Sequence, residues 1–385
     1  MTIVELLRRR PRLLALGEPT HFEDVLLQTR NDLFRQLVEQ EGYRAIAIES
    51  DCLMGLIVDD YVVSGEGTLD DVMERGFSHE FGRCPGNRAL VSWLRAYNQS
   101  RPPAERVHFA GFDGPLEITG GASPRQALMS LHGYLAARVG RLPCTAGELD
   151  RLIGDDDRWP NPAAMMNPSE SVGRTPDAVQ LSLLAADLAA LLEAETPVLG
   201  EGLDRARLYA RTATGLLHYH RCMADPTPAR LNRVLDQRAA MMTANLLAVT
   251  AIHGPAMAFA QNSHLQRARS TITLGGPPLH WWSAGARAAT HLGDDYAFAA
   301  MALGTIPHRG VGTPSPDTIE GLLYESPSAR QIVDPRSLPT NLTPRVSPWF
   351  GYAPLDPAHL PTIDALVYIK DSPARDDGQG DNHSD

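Results

Sequence analysis

The sequence lacks the patterns that several common classes of protein require. It contains a single lysine, Lys370, which lies outside any glycine-rich loop, so a Walker A phosphate site is excluded. No GxGxxG stretch follows a predicted strand, and the absence of a GxSxG elbow argues against an ordinary α/β-hydrolase serine nucleophile. His79 and Glu80 are followed by FGR rather than by a second histidine, so this pair is not a zinc-binding helix and is interpreted as a polar turn.

Cysteines and long apolar runs are also scarce. The four cysteines lie far apart with no CxxC pair, which fits neither a zinc ribbon nor a disulfide framework, and we expect free thiols. No apolar run approaches the roughly 18–20 residues that a membrane span needs, and the first residues lack the apolar core of a signal peptide. We therefore expect a cytoplasmic protein with no membrane partner.

Composition and charge indicate a folded acidic protein. Hydrophobic residues make up 43% of the chain, charged residues 21%, and the formal net charge is −11. An acidic surface repels polyanions and no basic stripe reverses it, so nucleic acid is not an expected partner. The 385 residues predict one large elaborated domain or two domains with a shared interface, as a monomer or a homodimer.

The first fifty residues predict a strand–helix–strand unit. Residues 12–17 and 44–49 form short apolar runs, and the segment between them carries apolar residues at a helical period. A unit of this length implies parallel strands, whose carboxyl ends meet at one edge of the sheet. Glu18 and His21 follow the first strand and Glu49 ends the second, so topology alone predicts that these three side chains converge.

The remaining chain predicts an α/β fold with a central, mostly parallel sheet flanked by helices. Further strands are expected at residues 107–112, 256–260, 270–274, 295–302 and 363–369. Alanine- and leucine-rich segments with helical periods predict a largely helical insertion that covers the site. The expected division is a core of residues 1–123 and 251–370, a helical insertion or lid of residues 124–250, a loop over residues 307–348 and a disordered acidic tail over residues 371–385.

Several polar residues follow a recognisable order and spacing. Gly17, Glu18 and His21 form a GExxH motif after the first strand, with Arg30 nine residues beyond the histidine and Glu49 closing the next strand. Later segments are VHFAGFD at residues 107–113, LDQRAAMMTANLL at 235–247, FAQNSHLQR at 259–267 and the block at 284–305. Together, these segments resemble the erythromycin esterase family from residue 13 to residue 305.

The resemblance implies hydrolysis of an ester or lactone by acid–base chemistry without a cofactor. His21 would be the general base, with Glu18 or Glu49 orienting its ring. Arg30 would hold a carboxylate or steady the oxyanion, and His264 would be the second acid–base group. Each residue also has a purely structural interpretation: Glu18, for example, could simply favour a helix dipole.

Four further residues are candidates for contacts with a small-molecule or peptide-like substrate. They are Phe22, Asp113, Asn262 and Arg267. Asp113 ends a predicted strand at the same edge of the sheet and could instead cap a helix. Asn262 comes from the family's AHNxH segment, and Arg267 is a candidate for the pocket wall.

The sequence departs from the family pattern beside both histidines. A glycine usually follows the first histidine and a glutamate lies a few positions on, whereas this chain has Phe22 and Val25. The first histidine of AHNxH is replaced by Gln261. A bulky side chain at Phe22 would reshape the pocket, so the resemblance supports the scaffold rather than macrolide specificity.

Three kinds of function therefore stay open. The leading hypothesis is metal-independent hydrolysis of an ester or lactone in a natural product or biosynthetic intermediate, and the same residues could support elimination or acyl transfer in a tailoring enzyme. A second hypothesis is a hydrolase that depends on a divalent metal, because Glu18, His21, Glu49 and His264 form a mixed nitrogen and oxygen donor set. The third is a binding protein that has kept the fold.

Overall fold

A computed structural model describes residues 3–7, 9–117, 120–273 and 276–373. The strands of its main sheet are β1 (Leu13–Glu18), β2 (Ala45–Asp51), β3 (His108–Asp113), β6 (Ala256–Gln261), β9 (Tyr296–Thr305), β10 (Arg330–Val333) and β11 (Ala365–Asp371). Two small hairpins are formed by β4 (Leu116–Glu117) with β5 (Gly120–Gly121), and by β7 (Arg269–Ile272) with β8 (Leu279–Trp282).

The seven-stranded sheet has the order β10-β11-β9-β1-β6-β2-β3. All neighbouring strands are parallel except β10, which runs antiparallel to β11 at the edge. β1 and β2 are thus parallel, as their short connection through one helix predicts, and β6 lies between them. The predicted class, a mostly parallel sheet flanked by helices, is confirmed.

Fourteen helices are described around this sheet. They are α1 (Ile3–Leu6), α2 (Asp24–Glu41), α3 (Gly55–Ser64), α4 (Leu69–Arg75), α5 (Pro85–Asn98), α6 (Arg125–Ala136), α7 (Ala146–Ile153), α8 (Pro176–Ala194), α9 (Thr196–Leu199), α10 (Leu203–Met223), α11 (Arg230–His253), α12 (Asn262–Leu265), α13 (Ala284–Leu292) and α14 (Ile319–Tyr324). Helix α2 ends at Glu41. Gly42 follows in the left-handed conformation, with φ 70°, as glycine commonly does at the end of a helix.

The two faces of the sheet differ in side-chain size. Leu14 and Leu16 of β1 face α2 and α5 within a core of large aliphatic and aromatic residues. Leu13 and Ala15 face the other side, since successive side chains of a strand alternate. That second face is rich in alanine on β2, β6 and β9, and it packs against Met242 of α11 and against α13.

The helical segment between residues 124 and 250 has two parts. Helices α6, α7, α8 and α10 enclose a separate apolar cluster that includes Leu128, Leu181 and Leu217. Helix α11 instead lies on the sheet face, where Asn245 donates to the backbone oxygen of Phe112 in β3. The last helix of the segment therefore belongs to the layer that supports the strand ends.

Some elements differ from the expectation drawn from sequence. The run at 270–274 forms β7 in a separate hairpin, with Leu274 outside the described residues. The stretch 307–348 contains α14 and β10 in addition to loop. Strand β11 continues to Asp371, and residues 374–385 of the predicted tail lie outside the described residues. No described helix is both long and apolar enough to cross a membrane.

Candidate active site

Polar side chains gather at the carboxyl edge of the sheet. Glu18 ends β1, Glu49 lies near the end of β2 and Asp113 ends β3. Strand β6 runs between β1 and β2 and leads directly into α12, which carries His264. Because these strands are parallel, their carboxyl ends meet at one edge and bring the four side chains to the same place.

Glu18 and His21 form the first histidine–carboxylate pair. The Nδ1 atom of His21 lies 2.7 Å from Oε1 of Glu18. Glu18 is buried, and its second oxygen has no hydrogen-bond partner within the described chain. The His21 side chain keeps 28% of its surface exposed. With Nδ1 bonded to the carboxylate, Nε2 is the nitrogen available for chemistry.

The surroundings of His21 favour its protonated form. Burial alone would lower the pKa of His21, but the hydrogen bond to Glu18 and the charges of Glu49 and Glu18 outweigh burial and raise the pKa to about 9. Glu18 and His21 therefore share one proton through the neutral pH range.

Glu49 and His264 form a second pair. Oε1 of Glu49 lies 3.1 Å from Nε2 of His264, and Oε2 accepts a hydrogen bond of 2.8 Å from the backbone N–H of Gln261. Burial alone would raise the pKa of Glu49, but the charges of His264, His21 and Arg238 hold it well below its usual range. Nδ1 of His264 is buried and has no hydrogen-bond partner in the described structure.

Arg238 of α11 connects two of the strand ends. Its guanidinium contacts Asp113 through Nε at 3.0 Å and through Nη2 at 2.6 Å, and Nη2 lies 3.2 Å from Glu49. Asp113 is fully buried, which by itself would raise its pKa, but the Arg238 charge lowers it. Sequence reasoning missed Arg238. The sequence did carry a signal. The segment at residues 235–247 resembles a family helix with the pattern R-D-x-x-M, and Arg238 is the arginine four residues before Met242.

Arg30 lies beneath the two pairs and is fully buried. Its guanidinium donates to the side-chain oxygens of Asn31 and Asn87, each at 2.8 Å, and lies 4.8 Å from the centre of the Phe259 ring. A small pocket is lined by Arg30 together with Glu18 and Glu49. Burial lowers the pKa of Arg30 to about 10, so the side chain keeps its charge at neutral pH. The helix thus turns Arg30 toward Glu18.

Phe22 forms part of the wall of the same pocket. Its ring lies 5.4 Å from that of Phe81, which in turn lies 5.3 Å from the His21 ring. The backbone of Phe22 has φ 67°, a conformation that favours glycine. The family pattern described above places at this position a glycine, which adopts such a conformation without strain.

The other three candidates for substrate contact are bound by groups of the protein itself and do not line the pocket. Asn262 is buried against β1, where a Cβ atom on Gly17 would meet its Oδ1 at 2.3 Å, and it donates to the backbone oxygen of Met301. Arg267 binds Asp364 and the backbone oxygen of Tyr296 near the beginning of β9, at the opposite edge of the sheet. Asp113 is occupied by Arg238. The structure therefore does not bring these three to the pocket wall with Phe22.

The ionisable side chains are arranged as pairs. Among the described residues, no three histidine, cysteine, aspartate or glutamate side chains are placed so that they could share one metal ion. Glu18 and Glu49 each bind a histidine nitrogen instead.

Comparisons with known proteins agree with the fold. A Bacillus cereus protein of known structure is similar with a TM-score of 0.72 and 17% identity, covering 94% of this chain and 88% of that one. A succinoglycan biosynthesis protein has a TM-score of 0.71 and 15% identity, covering 96% and 90%. A mutant of the erythromycin esterase EreC in its open conformation has a TM-score of 0.67 and 17% identity, covering 93% and 90%.

Sequence comparison identifies the family. Erythromycin esterase type II of Escherichia coli is 33% identical over 104 residues, which are 27% of this chain, and the match spans only 24% of that relative's length. The family profile described as erythromycin esterase matches residues 38–362, well over half of the sequence. The chain therefore belongs to the erythromycin esterase family.

Proposed function

We propose that this protein hydrolyses an ester or lactone bond in a small natural product or biosynthetic intermediate. The observation that carries this proposal is the presence of two histidine–glutamate pairs at one edge of the sheet. In each pair the carboxylate holds one ring nitrogen, Nδ1 of His21 and Nε2 of His264, and leaves the other nitrogen free for proton transfer.

Each of the two free nitrogens carries out a different proton transfer. In its neutral form, His21 takes a proton from water through Nε2 while the water oxygen attacks the carbonyl carbon, and Glu18 stabilises the resulting imidazolium. When the carbon–oxygen bond of the leaving group breaks, His264 donates the proton on Nδ1 to the alkoxide. Arg30 supplies a permanent positive charge below the reacting carbonyl. The proton taken from water by His21 finally returns to His264 through solvent.

Phe22 and Phe81 give the pocket an apolar wall beside His21. We propose that this wall holds the apolar part of the substrate. Small esters and lactones fit this pocket better than a macrolide ring does, because the Phe22 side chain fills space that a glycine would leave open.

Mass spectrometry of a panel of esters and lactones tests the proposal. We expect at least one lactone to gain the mass of one water, or at least one ester to be split into its acid and its alcohol, with the wild-type protein and not with His21→Ala. Elimination or acyl transfer would give a different product mass. Equal conversion by wild type and His21→Ala, or no conversion of any compound, would refute hydrolysis by this site.

Chelation tests the metal-dependent alternative. Because Glu18 and Glu49 are engaged with histidines, we expect hydrolysis to persist after exhaustive treatment with EDTA and dialysis. A stoichiometric metal in the purified protein, with activity lost on its removal and restored on its return, would support the alternative and contradict the metal-free mechanism.

A further inference from the structure

A third histidine, His79, lies on a strained loop that the mechanism above does not use. In the described part of the chain, three residues other than glycine have a positive φ: Phe22 at 67°, His79 at 54° and Glu80 at 59°. Such conformations are costly for residues that carry a Cβ atom, and they persist at functional sites where the surrounding structure holds them in place. All three residues lie beside Phe81 in sequence or in space.

Two serines fix this loop to the strand that carries Glu49. The backbone N–H of Ser78 donates to Oγ of Ser50 at 2.9 Å, and the backbone N–H of Asp51 donates to Oγ of Ser78 at 2.9 Å. Both serines are buried. The position of His79 is therefore determined by the end of β2.

The His79 ring lies between a buried and an exposed carboxylate. Its Nε2 is 3.7 Å from Oδ2 of Asp113, and its Nδ1 is 2.9 Å from Oε2 of Glu117. The Asp113 side chain is 0% exposed, whereas that of Glu117 is 63% exposed. One side of the ring thus faces a buried carboxylate beyond hydrogen-bond distance, with Nε2 unpartnered among the described residues, and the other side faces a carboxylate at the surface.

The same ring is linked to His21 through Phe81, which lines the pocket. It lies 5.6 Å from the ring of Phe81, whose centre is 5.3 Å from the ring of His21. Asp113 also binds Arg238, which contacts Glu49. His79 is therefore connected to both histidine–glutamate pairs.

The surrounding charges favour a protonated His79. Burial by itself would lower its pKa, and Arg238 acts in the same direction, but Asp113 and Glu117 outweigh both and raise the pKa. Asp51, the other carboxylate nearby, lies against the same loop. A protonated imidazole donates from both nitrogens, so Nδ1 can bind an acceptor oxygen.

We propose that His79 is a substrate-binding residue whose Nδ1–H binds a carboxylate oxygen of the substrate, and that Glu117 occupies this position in the free protein. This inference rests on the proposed function and adds a substrate class, namely esters or lactones that carry a second, anionic oxygen group. An exposed ion pair contributes little to stability because water and salt compete with it, so a ligand carboxylate can displace Glu117. Asp113 then keeps the ring oriented.

Two 4-nitrophenyl esters provide the kinetic test: the butyrate, which is neutral, and the monoester of glutaric acid, which carries a carboxylate. A hydrogen bond to a charged group is worth enough that His79→Ala should raise KM for the glutaric monoester about tenfold or more. We expect KM for the butyrate to change less than about threefold and kcat for both esters to stay within about threefold. Glu117→Ala should lower KM for the glutaric monoester only.

A matched control separates binding from folding. His108 pairs with Asp59 at 3.1 Å at the beginning of β3, the strand whose other end carries Asp113. His108→Ala therefore removes a comparable half-buried histidine–carboxylate pair far from the pocket and should leave both KM values unchanged. His79→Gln, which keeps a donor, should recover part of the affinity, and thermal unfolding checks that each variant is folded.

Binding can be followed without turnover. Proton NMR of the His79 ring should show a shift when glutarate is added to wild type, and a larger shift at the same concentration with Glu117→Ala. Equal effects of His79→Ala on the two esters, or no response of the His79 resonance to glutarate, would overturn the proposal. Failure of the proposed hydrolysis is seen separately, as turnover that His21→Ala does not reduce.

Discussion

The proton shared by Glu18 and His21 determines the pH at which His21 can act as a base. The carboxylate stabilises the imidazolium, so the free-base form accumulates only as the pH rises through about 9. A site that uses this base gains activity with pH up to that value. The resemblance left open whether Glu18 or Glu49 holds the His21 ring, and the structure places Glu18 beside it.

Glu18→Gln should move this pH dependence to lower pH. Removing the negative charge destabilises the imidazolium, so the pKa of His21 falls toward the value of about 6.5 for an isolated histidine. We expect the rising limb of kcat/KM against pH to shift downward, with a lower plateau because the amide supports the imidazolium less well in the transition state. The measurement is the pH profile of ester hydrolysis.

The exposed Glu39 of α2 provides the control for this measurement. Glu39→Gln removes the same charge from the same part of the chain without touching His21, and its profile should overlay that of the wild type. A rising limb that stays in place in Glu18→Gln would show that another group is the base.

Phe22 combines a strained backbone with a side chain that shapes the pocket. Its φ of 67° favours glycine, and its ring packs on Phe81. Phe22→Gly and Phe22→Ala both remove the ring, but only glycine relieves the strain. We expect Phe22→Gly to be more stable than Phe22→Ala by about 1 kcal/mol, the reverse of the usual order. Urea unfolding of both variants measures the difference.

The same pair of variants tests specificity. Both should hydrolyse bulky esters relatively better than the wild type does, since the pocket wall has been removed. An alanine variant as stable as the glycine variant would show that residue 22 is not strained in solution, and unchanged selectivity would remove Phe22 from the pocket wall.

At the scale of elements, the local sequence pattern predicted the order of strands and helices along the chain. It did not predict the contacts between elements that are distant in sequence. The unit of β1, α2 and β2 follows from alternation of strand and helix periods, and it correctly placed Glu18 and Glu49 at one edge. The position of Arg238 could not be derived in this way. The role of Arg238 depends on α11 crossing the end of β3. The local sequence around an arginine does not distinguish a side chain at the surface from one that binds two buried carboxylates.

The role that we propose for His79 could not be predicted from sequence for a related reason. The sequence HEFGR predicts a turn, which the structure confirms, but the contacts that place this turn come from Ser50, Ser78 and Asp113. These contacts join positions far apart in sequence. Arg267 shows the converse, because its closeness to His264 in sequence suggests the pocket, whereas the chain turns it toward Asp364.

Arg238→Met should destabilise the protein strongly, because it leaves Glu49 and Asp113 buried without their shared counter-charge. Breaking such a buried pair typically costs roughly 3–5 kcal/mol. Asp113→Asn in the same chain should restore part of this loss. Chemical denaturation of the single and double variants measures both effects.

The pair formed by Arg287 of α13 and Asp236 of α11 offers a matched control. These side chains lie 3.0 Å apart and are 35% and 42% exposed. Arg287→Met should therefore change the free energy of unfolding by no more than about 1 kcal/mol. Similar losses in Arg238→Met and Arg287→Met would contradict a structural connection of Glu49 and Asp113 through Arg238.

At the scale of the whole molecule, the sheet carries the site and helices pack on both of its faces. The large side chains of one sheet face enclose Arg30 and the pocket, while the alanine-rich face allows α11 to approach closely enough for Arg238 to reach the strand ends. Membership of the erythromycin esterase family agrees with this arrangement. The two histidines come from segments more than two hundred residues apart in the chain and lie at one edge of the sheet because β6 lies beside β1.

The most direct test of the account is a double-mutant measurement of kcat/KM for ester hydrolysis with His21→Ala, His264→Ala and the double variant. If the two histidine–glutamate pairs act in one proton-transfer mechanism, each single variant should lose about 10²–10⁴ in rate, and the double variant should lose little more than the worse single one. Single variants that keep the wild-type rate within about threefold, while remaining folded, would contradict the account.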